Sequence, residues 1–401
     1  MRYPTRVIVE INRPGLKRQL ERAGVSAEGI AIMAMKIEPV VVRIDEVGAP
    51  AANILKQQML SLGGDAAVHR EVIRGGPERS TVHLIADRAK LSRLPGKLEG
   101  QPFGLGDLGM QIATLVARAF NPPSSISTPS GSIDLSTGPV IMGILNVTPD
   151  SFSDGGAWMD PGRAVERALQ MAGEGAGIID VGGESTRQGA REPDTAEELG
   201  RVMPVVERLA VETGLPISID TRKHEVAAAA MKAGASMIND ISGGTRDPLI
   251  VDVARETGAA IVVMHMQGTP ETMQDSPSYE DPVSEIISWL DRRTGDIIGR
   301  GVDRGKIIVD PGIGFGKRLQ DNLEIVDHAG DFLSLGFPVM VGLSRKSFLG
   351  TITGREPGER VWGGLAAAAS CLDGGIGILR VHDVKETSDF IEVWKAIKRR
   401  G

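Results

Sequence analysis

The chain has 401 residues, of which 41% are hydrophobic and 24% are charged, so it is long enough for a large barrel together with a smaller domain. This composition excludes a disordered chain, and the formal net charge of −7 gives no electrostatic footprint for nucleic acid or an anionic membrane. The single cysteine, Cys371, excludes an internal disulfide and a cysteine-based metal cluster. No apolar run approaches the ~18 residues of a transmembrane helix and no apolar signal segment opens the sequence, so we expect a cytoplasmic protein.

The first 120 residues predict a small α/β domain. Apolar segments predict strands at residues 7–10, 40–44, 67–73 and 81–85. Helical periodicity predicts helices at residues 16–22, 51–62 and 107–119. This domain has no cluster of titratable groups. An oligomerisation module, a brace for the next domain and a separate binding domain are all open, and a structural role is favoured.

A change in composition follows this domain. Residues 121–138 are rich in Pro, Ser, Thr and Gly, which is typical of a linker and not of a packed element. We therefore expect three regions, namely a domain at 1–120, a linker at 121–138 and a second domain at 139–401.

The second domain repeats one strand-then-helix pattern eight times. The apolar strand segments are residues 140–147, 177–183, 216–220, 236–241, 260–266, 306–312, 338–344 and 377–383. Eight such units in about 260 residues predict a (β/α)₈ TIM barrel. A doubly wound open sheet is the alternative, and it is disfavoured because the first unit lacks the G-x-G-x-x-G turn of that fold.

Polar residues gather where these strands end, which is where a barrel carries its chemistry. They are Asn146, residues 184–187, Asp220, Asn239, Asp310, Lys346, Arg380 and His382. Each aspartate taken alone is as well explained as a helix cap or a turn residue. Independent caps, however, have no reason to fall at one end of one barrel, so the set predicts a site.

The residue types indicate what the site binds. Asp220, Asp310 and Asn239 are suited to a flat heterocycle that carries N–H donors, and Lys346 would offset the two negative charges. A separate cationic corner, formed by the residues Arg187, Arg380 and His382, is suited to a phosphate or a diphosphate. Asn146 offers an oxygen to a Mg²⁺ ion that such phosphates would hold.

Eight motifs in chain order resemble the dihydropteroate synthase family. They are GILNVTPDSFSDGG (143–156), IIDVGGESTR (178–187), ISIDT (217–221), INDISGG (238–244), MHMQGTPETMQ (264–274), DPGIGFGK (310–317), GLSRKSF (342–348) and RVHDV (380–384). The resemblance covers about two-thirds of the chain and leaves the N-terminal domain outside it. It implies a transferase that joins (7,8-dihydropterin-6-yl)methyl diphosphate to 4-aminobenzoate, giving 7,8-dihydropteroate and diphosphate in folate synthesis.

The resemblance also implies a role for each matching residue. Those implied in catalysis are Asp220, Asp310, Lys346, Arg380 and His382. The implied pterin pocket is Asp220, Asn239, Met264, Asp310, Gly342 and Lys346. Diphosphate would meet Asn146, Arg187, Arg380 and His382, with Mg²⁺ on Asn146. The aminobenzoate would border Thr186, Arg187, Gln188, Phe315 and Ser347. A homodimer formed through barrel helices is implied as well.

One residue departs from the family pattern. The family reads STRPG in its second loop, whereas this chain has Gln188 in place of the proline. Glutamine loosens the turn and adds a polar group beside the implied aminobenzoate pocket, so an altered response to sulfonamides is expected.

Two rival functions are compatible with part of this pattern. A pterin-dependent methyltransferase that serves a corrinoid shares the barrel and the pterin acids, but it lacks the combined SRKS and RVHDV segments that this chain retains. A pterin-binding protein without catalysis would keep the acids and would have little use for Asn146, Arg380 and His382.

Overall fold

The computed structural model describes residues 20–36, 39–148, 160–184 and 191–399. The chain divides into two compact units. One unit contains the chain up to Arg118 together with the residues from Lys395 onward, and the other is Ala119–Trp394. None of the described helices is both long and apolar enough to cross a lipid bilayer.

The first unit contains a three-stranded antiparallel sheet with the strand order β1-β3-β2. The strands are β1 (Pro39–Gly48), β2 (Asp65–Ala67) and β3 (Arg79–Asp87). The helices of this part of the chain are Ala27–Ala34, Ala49–Ser61, Arg88–Leu91, Leu94–Leu98 and Leu105–Phe120. Leu55, Met59, Val82 and Leu84 are fully buried between sheet and helices.

One predicted element of this unit is wrong, and others lie outside the described residues. The predicted strand at 67–73 ends at Ala67, and the chain then forms a 3₁₀ turn at Val72–Arg74. Val72 is buried and its carbonyl accepts a hydrogen bond from the side chain of Asn53, so tertiary packing overrides the strand pattern. The predicted strand at 7–10 and most of the helix at 16–22 are not among the described residues.

The second unit is built on eight parallel strands. They are β6 (Val140–Asn146), β7 (Ile178–Gly182), β8 (Ile217–Asp220), β9 (Met237–Asp240), β10 (Ala260–Met264), β11 (Ile307–Asp310), β12 (Met340–Val341) and β13 (Ile378–Val381). Their order is β11-β10-β9-β8-β7-β6-β13-β12, and a parallel bridge from Val309 to Val339 joins the two ends. The predicted TIM barrel is confirmed.

Helices connect successive strands and cover the outside of this barrel. They are Pro161–Glu174, Thr195–Glu212, His224–Ala233, Leu249–Thr257, Pro282–Gly299, Leu319–Asp327, Ser347–Thr353, Val361–Asp373 and Val384–Arg399. Outward-facing strand residues such as Ile179, Val181 and Ile219 pack against them in one large apolar cluster. Parallel strands buried on both faces are apolar nearly throughout, as the sequence of these strands is.

The segment that composition predicts to be a linker is a packed β-hairpin over much of its length. Strands β4 (Ser125–Thr128) and β5 (Gly131–Asp134) pair antiparallel. Ile126 and Ile133 are buried against residues at the amino ends of the barrel strands, among them Met142. The hairpin therefore closes the amino end of the barrel interior. The linker prediction fails here because two isoleucines find a partner surface that only the folded barrel provides.

Candidate active site

Two-residue alternation along the strands decides which side chains enter the barrel. The first inward residues are apolar, as Ile178, Met237 and Ile308 are, and they pack above the hairpin. The next inward residues, nearer the carboxyl ends, are polar. They include Asp180, Asp220, Asn239, Asp310 and Arg380. The interior is thus closed by apolar side chains at one end and lined by charged groups toward the other.

Arg380 is the centre of this polar layer. Its Nε donates to Oδ2 of Asp180 at 2.7 Å, and one terminal nitrogen donates to Oδ2 of Asp220 at 2.5 Å. Asn239 donates its amide to the same Asp180 oxygen at 3.0 Å. Burial opposes the charge on Arg380, but the carboxylates of Asp180 and Asp220 outweigh burial and raise the pKa of the guanidinium. Arg380 is therefore a fixed cation between two acids.

These ion pairs correct one sequence-based prediction. The sequence predicts a cationic corner separate from the acids, whereas Arg380 lies between two of the acids. The alternation of residues along β13 predicts the face on which Arg380 lies. It does not predict how far the Arg380 side chain is from the acids of β7 and β8, which lie beyond the neighbouring strand β6. The remaining terminal nitrogen, Nη1, has no hydrogen-bond partner within the described parts of the chain.

The carboxyl groups of Asp310 and Asp220 are held in low-dielectric surroundings. Asp310 is buried, and one of its oxygens accepts the backbone N–H of Gly312 at 2.7 Å. Burial raises the pKa of Asp310, and it also raises the pKa of Asp220 against the opposing pull of Arg380. A ligand that donates N–H groups to these oxygens would offset the cost of burying them.

A small cavity opens beside Asp310 at the carboxyl ends of the strands. Its lining includes seven residues that the sequence assigns to the site, namely Asn239, Met264, Asp310, Phe315, Gly342, Lys346 and Arg380. The Nζ of Lys346 lies 4.0 Å from the centre of the Phe315 ring. Burial lowers the pKa of Lys346 to about 8. The described structure therefore brings together residues from five different strand ends around one small cavity.

A larger cavity, of about 360 Å³, adjoins the ends of β6 and β13. Asn146 and His382 line it, together with Arg167, Arg345 and Lys385. Burial, followed by the charge of Arg345, lowers the pKa of His382 to about 3, so the imidazole is neutral near pH 7. The sequence-based prediction of a cationic corner assumes that His382 is a cation. In the structure it is not, because its imidazole is neutral.

The predicted roles of four residues in the aminobenzoate pocket stay predictions. Thr186, Arg187 and Gln188 lie outside the described residues. Ser347 is exposed at the first position of the helix Ser347–Thr353, directly after Lys346.

The sequence-based predictions missed three buried polar residues behind the cavity lining: Asp180, His265 and Lys317. Alternation along β7 could have found Asp180, because it lies between inward-facing Ile178 and Gly182. Lys317 and His265 had no comparable signal, since their partners are in two loops that only the fold brings together.

The residues around Asn146 allow a limited test of the expected magnesium. Mg²⁺ prefers oxygen ligands and keeps several waters, so one protein oxygen is enough when phosphates supply others. Asn146 has such an amide oxygen beside the cavity, 3.6 Å from where a side chain on Gly182 would begin. The neighbouring Glu174 and Asp383 are engaged by Arg167 and Arg345. The donor set fits a Mg²⁺ ion that arrives with a diphosphate.

Comparison with known proteins places the barrel in a family. The model of the family described as "Pterin binding enzyme" matches residues 142–382, which is more than half of the chain. The dihydropteroate synthase of Escherichia coli is 45% identical over 265 residues, which cover 66% of this chain and 93% of that protein. The dihydropteroate synthase of Xanthomonas albilineans, solved in complex with 7,8-dihydropteroate, matches with a TM-score of 0.62 at 41% identity, over 68% of this chain and 98% of that one.

One relative matches nearly the whole chain. A probable bifunctional folylpolyglutamate synthase/dihydropteroate synthase of Halobacterium salinarum is 41% identical over 379 residues, or 94% of this chain. This chain spans only 45% of that relative's length. The match extends beyond the barrel, so the N-terminal region is shared with that archaeal protein. The barrel, the residues at its strand ends and the similarity to these relatives lead to one conclusion: the chain belongs to the dihydropteroate synthase family of pterin-binding enzymes.

Proposed function

We propose that this chain binds (7,8-dihydropterin-6-yl)methyl diphosphate and transfers its dihydropterin-methyl group to 4-aminobenzoate, releasing diphosphate. One observation carries the proposal: Asp310, Asn239 and Arg380 line one cavity at the carboxyl ends of the strands. Behind that cavity, Arg380 is paired with two further inward carboxylates, Asp180 and Asp220. Acceptor-rich, buried surroundings of this kind suit a flat ring with several N–H donors. The family's reaction supplies such a ring.

Pterin binding follows from the hydrogen-bonding capacity of the cavity. Asp310 uses one oxygen for Gly312, so its other oxygen remains for a ring N–H or amino group. Asn239 donates to Asp180, and among the described residues none donates to its carbonyl oxygen, which can therefore accept from a ligand. Lys346 donates toward a ring nitrogen or oxygen, while Met264 and Gly342 form the walls. The N–H groups of the pterin ring would therefore replace their hydrogen bonds to water with hydrogen bonds to fixed oxygens of the cavity.

The reaction breaks the bond between the methylene carbon and a diphosphate oxygen. The electron pair of that bond leaves with the diphosphate, and positive charge develops on the pterin methylene. The carboxylate of Asp220, paired with Arg380, and that of Asp310, held by the Gly312 N–H, would stabilise this charge electrostatically. The aniline nitrogen of 4-aminobenzoate then forms the new C–N bond and releases one proton. A neutral aniline is already nucleophilic, so a strong general base is unnecessary.

The departing diphosphate meets groups at the rim of the cavity. Arg380 would direct its remaining terminal nitrogen to the diphosphate, and the neutral ring of His382 would donate a hydrogen bond. Arg187 is proposed from the family pattern to add a second cation. Asn146 would hold Mg²⁺, which supplies charge stabilisation to the leaving group when it is bound.

The aminobenzoate pocket is proposed next to Phe315. The ring of Phe315 is almost fully buried and packs with Ile241, Met264 and Met273. It offers an apolar face to the benzene ring of the substrate, and exposed Ser347 lies one residue beyond Lys346. Thr186, Arg187 and Gln188 are proposed to complete this pocket.

We retain three broader proposals for the whole protein. Residues 1–120 form a structural domain and residues 139–401 form the catalytic domain. A homodimer forms through barrel helices, as exposed Ile352 and Trp362 on neighbouring helices suggest, with exposures of 55% and 74%. Light scattering of wild type and Trp362→Lys tests the dimer, because the lysine should yield monomers.

The buried free thiol of Cys371 suits a reducing compartment, in support of a cytoplasmic location.

The experiment that tests the proposed site replaces Asp310 with Asn and Arg380 with Ala. Each variant is assayed for diphosphate release in the presence of both substrates. Both should lose at least about 100-fold in kcat/KM, because each removes a buried charge next to the reacting atoms. Turnover near the wild-type rate in both variants would reject the site assignment. Methyl transfer to cobalamin, or pterin binding without turnover in wild type, would instead support a rival function.

A further inference from the structure

Lys317 is a buried lysine that the proposed chemistry does not use. It ends the loop that follows β11, and its side chain is almost fully buried. Its Nζ donates to the carbonyl of Phe315 at 2.9 Å and to the carbonyl of His265 at 3.3 Å, and it lies 3.2 Å from Nδ1 of His265. Burial lowers the pKa of Lys317 to about 7, and in either charge state its nitrogen has at least two protons, enough for the two carbonyls. Within the described structure, no carboxylate lies within 4.0 Å of this nitrogen.

The two carbonyls belong to two different loops. His265 begins the loop after β10, and Phe315 lies in the loop after β11. These loops pack backbone against backbone. A Cβ on Gly312 would lie 1.9 Å from the carbonyl oxygen of His265, and one on Gly316 would lie 2.4 Å from that of Gln267. Two carbonyl oxygens at this contact, those of His265 and Phe315, both accept from Nζ of Lys317, which satisfies them where water has no room.

The far side of His265 is fixed by aromatic rings. Its imidazole makes an edge contact with Trp289, with ring centres 5.2 Å apart, and a tilted contact with Tyr279 at 6.1 Å. The hydroxyl of Tyr279 donates to the carbonyl of Gly316 at 2.9 Å. The aromatic rings therefore pack against the loop after β10, and Lys317, like Tyr279, connects the loop after β11 to it.

The segment held by Lys317 carries a wall of the cavity. Phe315 is two residues before Lys317, and its ring lies against Nζ of Lys346 at 4.0 Å. Lys317 itself does not line the cavity. It fixes the backbone of Phe315 from behind, and the ring on that backbone in turn meets Lys346.

We infer that Lys317 is a positioning residue for the second substrate: its ammonium ties the Phe315 carbonyl to the loop of His265 and so holds the Phe315 ring where the aminobenzoate stacks. This inference rests on the proposed function, because the aminobenzoate pocket belongs to it. Lys317 touches neither substrate. Its loss should therefore affect the aminobenzoate far more than the pterin, whose acids Asp220 and Asp310 are held by other bonds.

The test compares Lys317→Met with wild type. Methionine has a similar length and cannot donate, so the Phe315 carbonyl loses its bond to Lys317 without a large cavity, while Tyr279 and Gln274 still donate to the loop after β11. We expect the KM for 4-aminobenzoate to rise about 10-fold or more, because the Phe315 ring is displaced from the position in which it stacks on this substrate. The Kd of the dihydropterin diphosphate, measured by calorimetry without the second substrate, should stay within about 2-fold of wild type.

Controls separate this role from general damage. Lys232→Met makes the same change at an exposed lysine and should leave both constants unchanged. Lys317→Gln keeps a donor and should fall between methionine and wild type. Unchanged kinetics in Lys317→Met, a parallel loss of both substrates, or failure of both Lys317 variants to fold would each overturn the inference. If wild type itself releases no diphosphate from the two substrates, the proposed function fails instead.

Discussion

Asp180 on β7 and Arg380 on β13 form an ion pair in the barrel interior, with 2.7 Å between Oδ2 and Nε. Strand β6 lies between their strands, and 200 positions separate them in the sequence. The same Asp180 oxygen accepts from Asn239. This one carboxylate therefore fixes both the central cation and a neighbouring amide of the proposed pterin pocket.

Replacing Asp180 with Asn should weaken substrate binding and stability together. Asparagine keeps the shape but removes the charge, so Arg380 is held by Asp220 alone. We expect kcat/KM for the dihydropterin diphosphate to fall about 10-fold or more, and the free energy of unfolding to fall by about 1–3 kcal/mol. Steady-state kinetics and urea unfolding measure the two effects. Asp389→Asn, at an exposed position, is the matched control, and equal behaviour of the two variants would contradict the role of Asp180.

Lys346 predicts how activity depends on pH. Burial lowers its pKa from 10.5 to about 8, so the ammonium is present below pH 8 and is lost above it. If the charge of Lys346 is needed to bind the anionic substrate, kcat/KM for the dihydropterin diphosphate should fall as pH rises through about 8. The pH profile of the wild-type enzyme measures this limb.

Lys346→Arg provides the control for the pH profile. A guanidinium keeps its proton throughout this range, so the limb above pH 8 should disappear even if the variant is slower. Should the arginine variant keep the same limb, another group must titrate there and Lys346 would not explain the profile.

The hairpin at the amino end of the barrel should contribute stability without touching the chemistry. Ile126 is fully buried, so Ile126→Ala should lower the free energy of unfolding by about 2–5 kcal/mol. The KM values of the folded enzyme should not change. Val211→Ala, at a side chain that is 87% exposed, should stay within about 0.5 kcal/mol. A similarly small effect for Ile126→Ala would show that the hairpin is not part of the barrel core.

The barrel was predictable because its signals are local. Each strand is an apolar run with a polar or glycine-rich end, and the observed strands lie within the predicted segments. The shortest is β12 (Met340–Val341), and the bridge from Val339 to Val309 extends its pairing by one residue. The hairpin was not predictable, since its Ser, Thr, Pro and Gly are typical of a loop and its two isoleucines are explained only by packing.

The sequence predicts which strand ends contribute residues to the site, but not how those residues pair or how deeply they are buried. Barrel topology brings Asn239, Asp310 and Lys346 to one cavity, as alternation and position imply. Sequence alone does not give distances across the barrel, so the pairing of Arg380 with Asp180 and Asp220 was missed. It also does not give burial, which makes His382 neutral.

We propose that this barrel joins a dihydropterin to an aminobenzoate with loss of diphosphate. The most direct measurement incubates the purified chain with (7,8-dihydropterin-6-yl)methyl diphosphate, 4-aminobenzoate and Mg²⁺. Mass spectrometry then follows the product while released diphosphate is counted. We predict 7,8-dihydropteroate and diphosphate in equal amounts, and neither from Asp310→Asn at a comparable rate. Diphosphate without dihydropteroate, or no turnover of the two substrates by wild type, would contradict the claim.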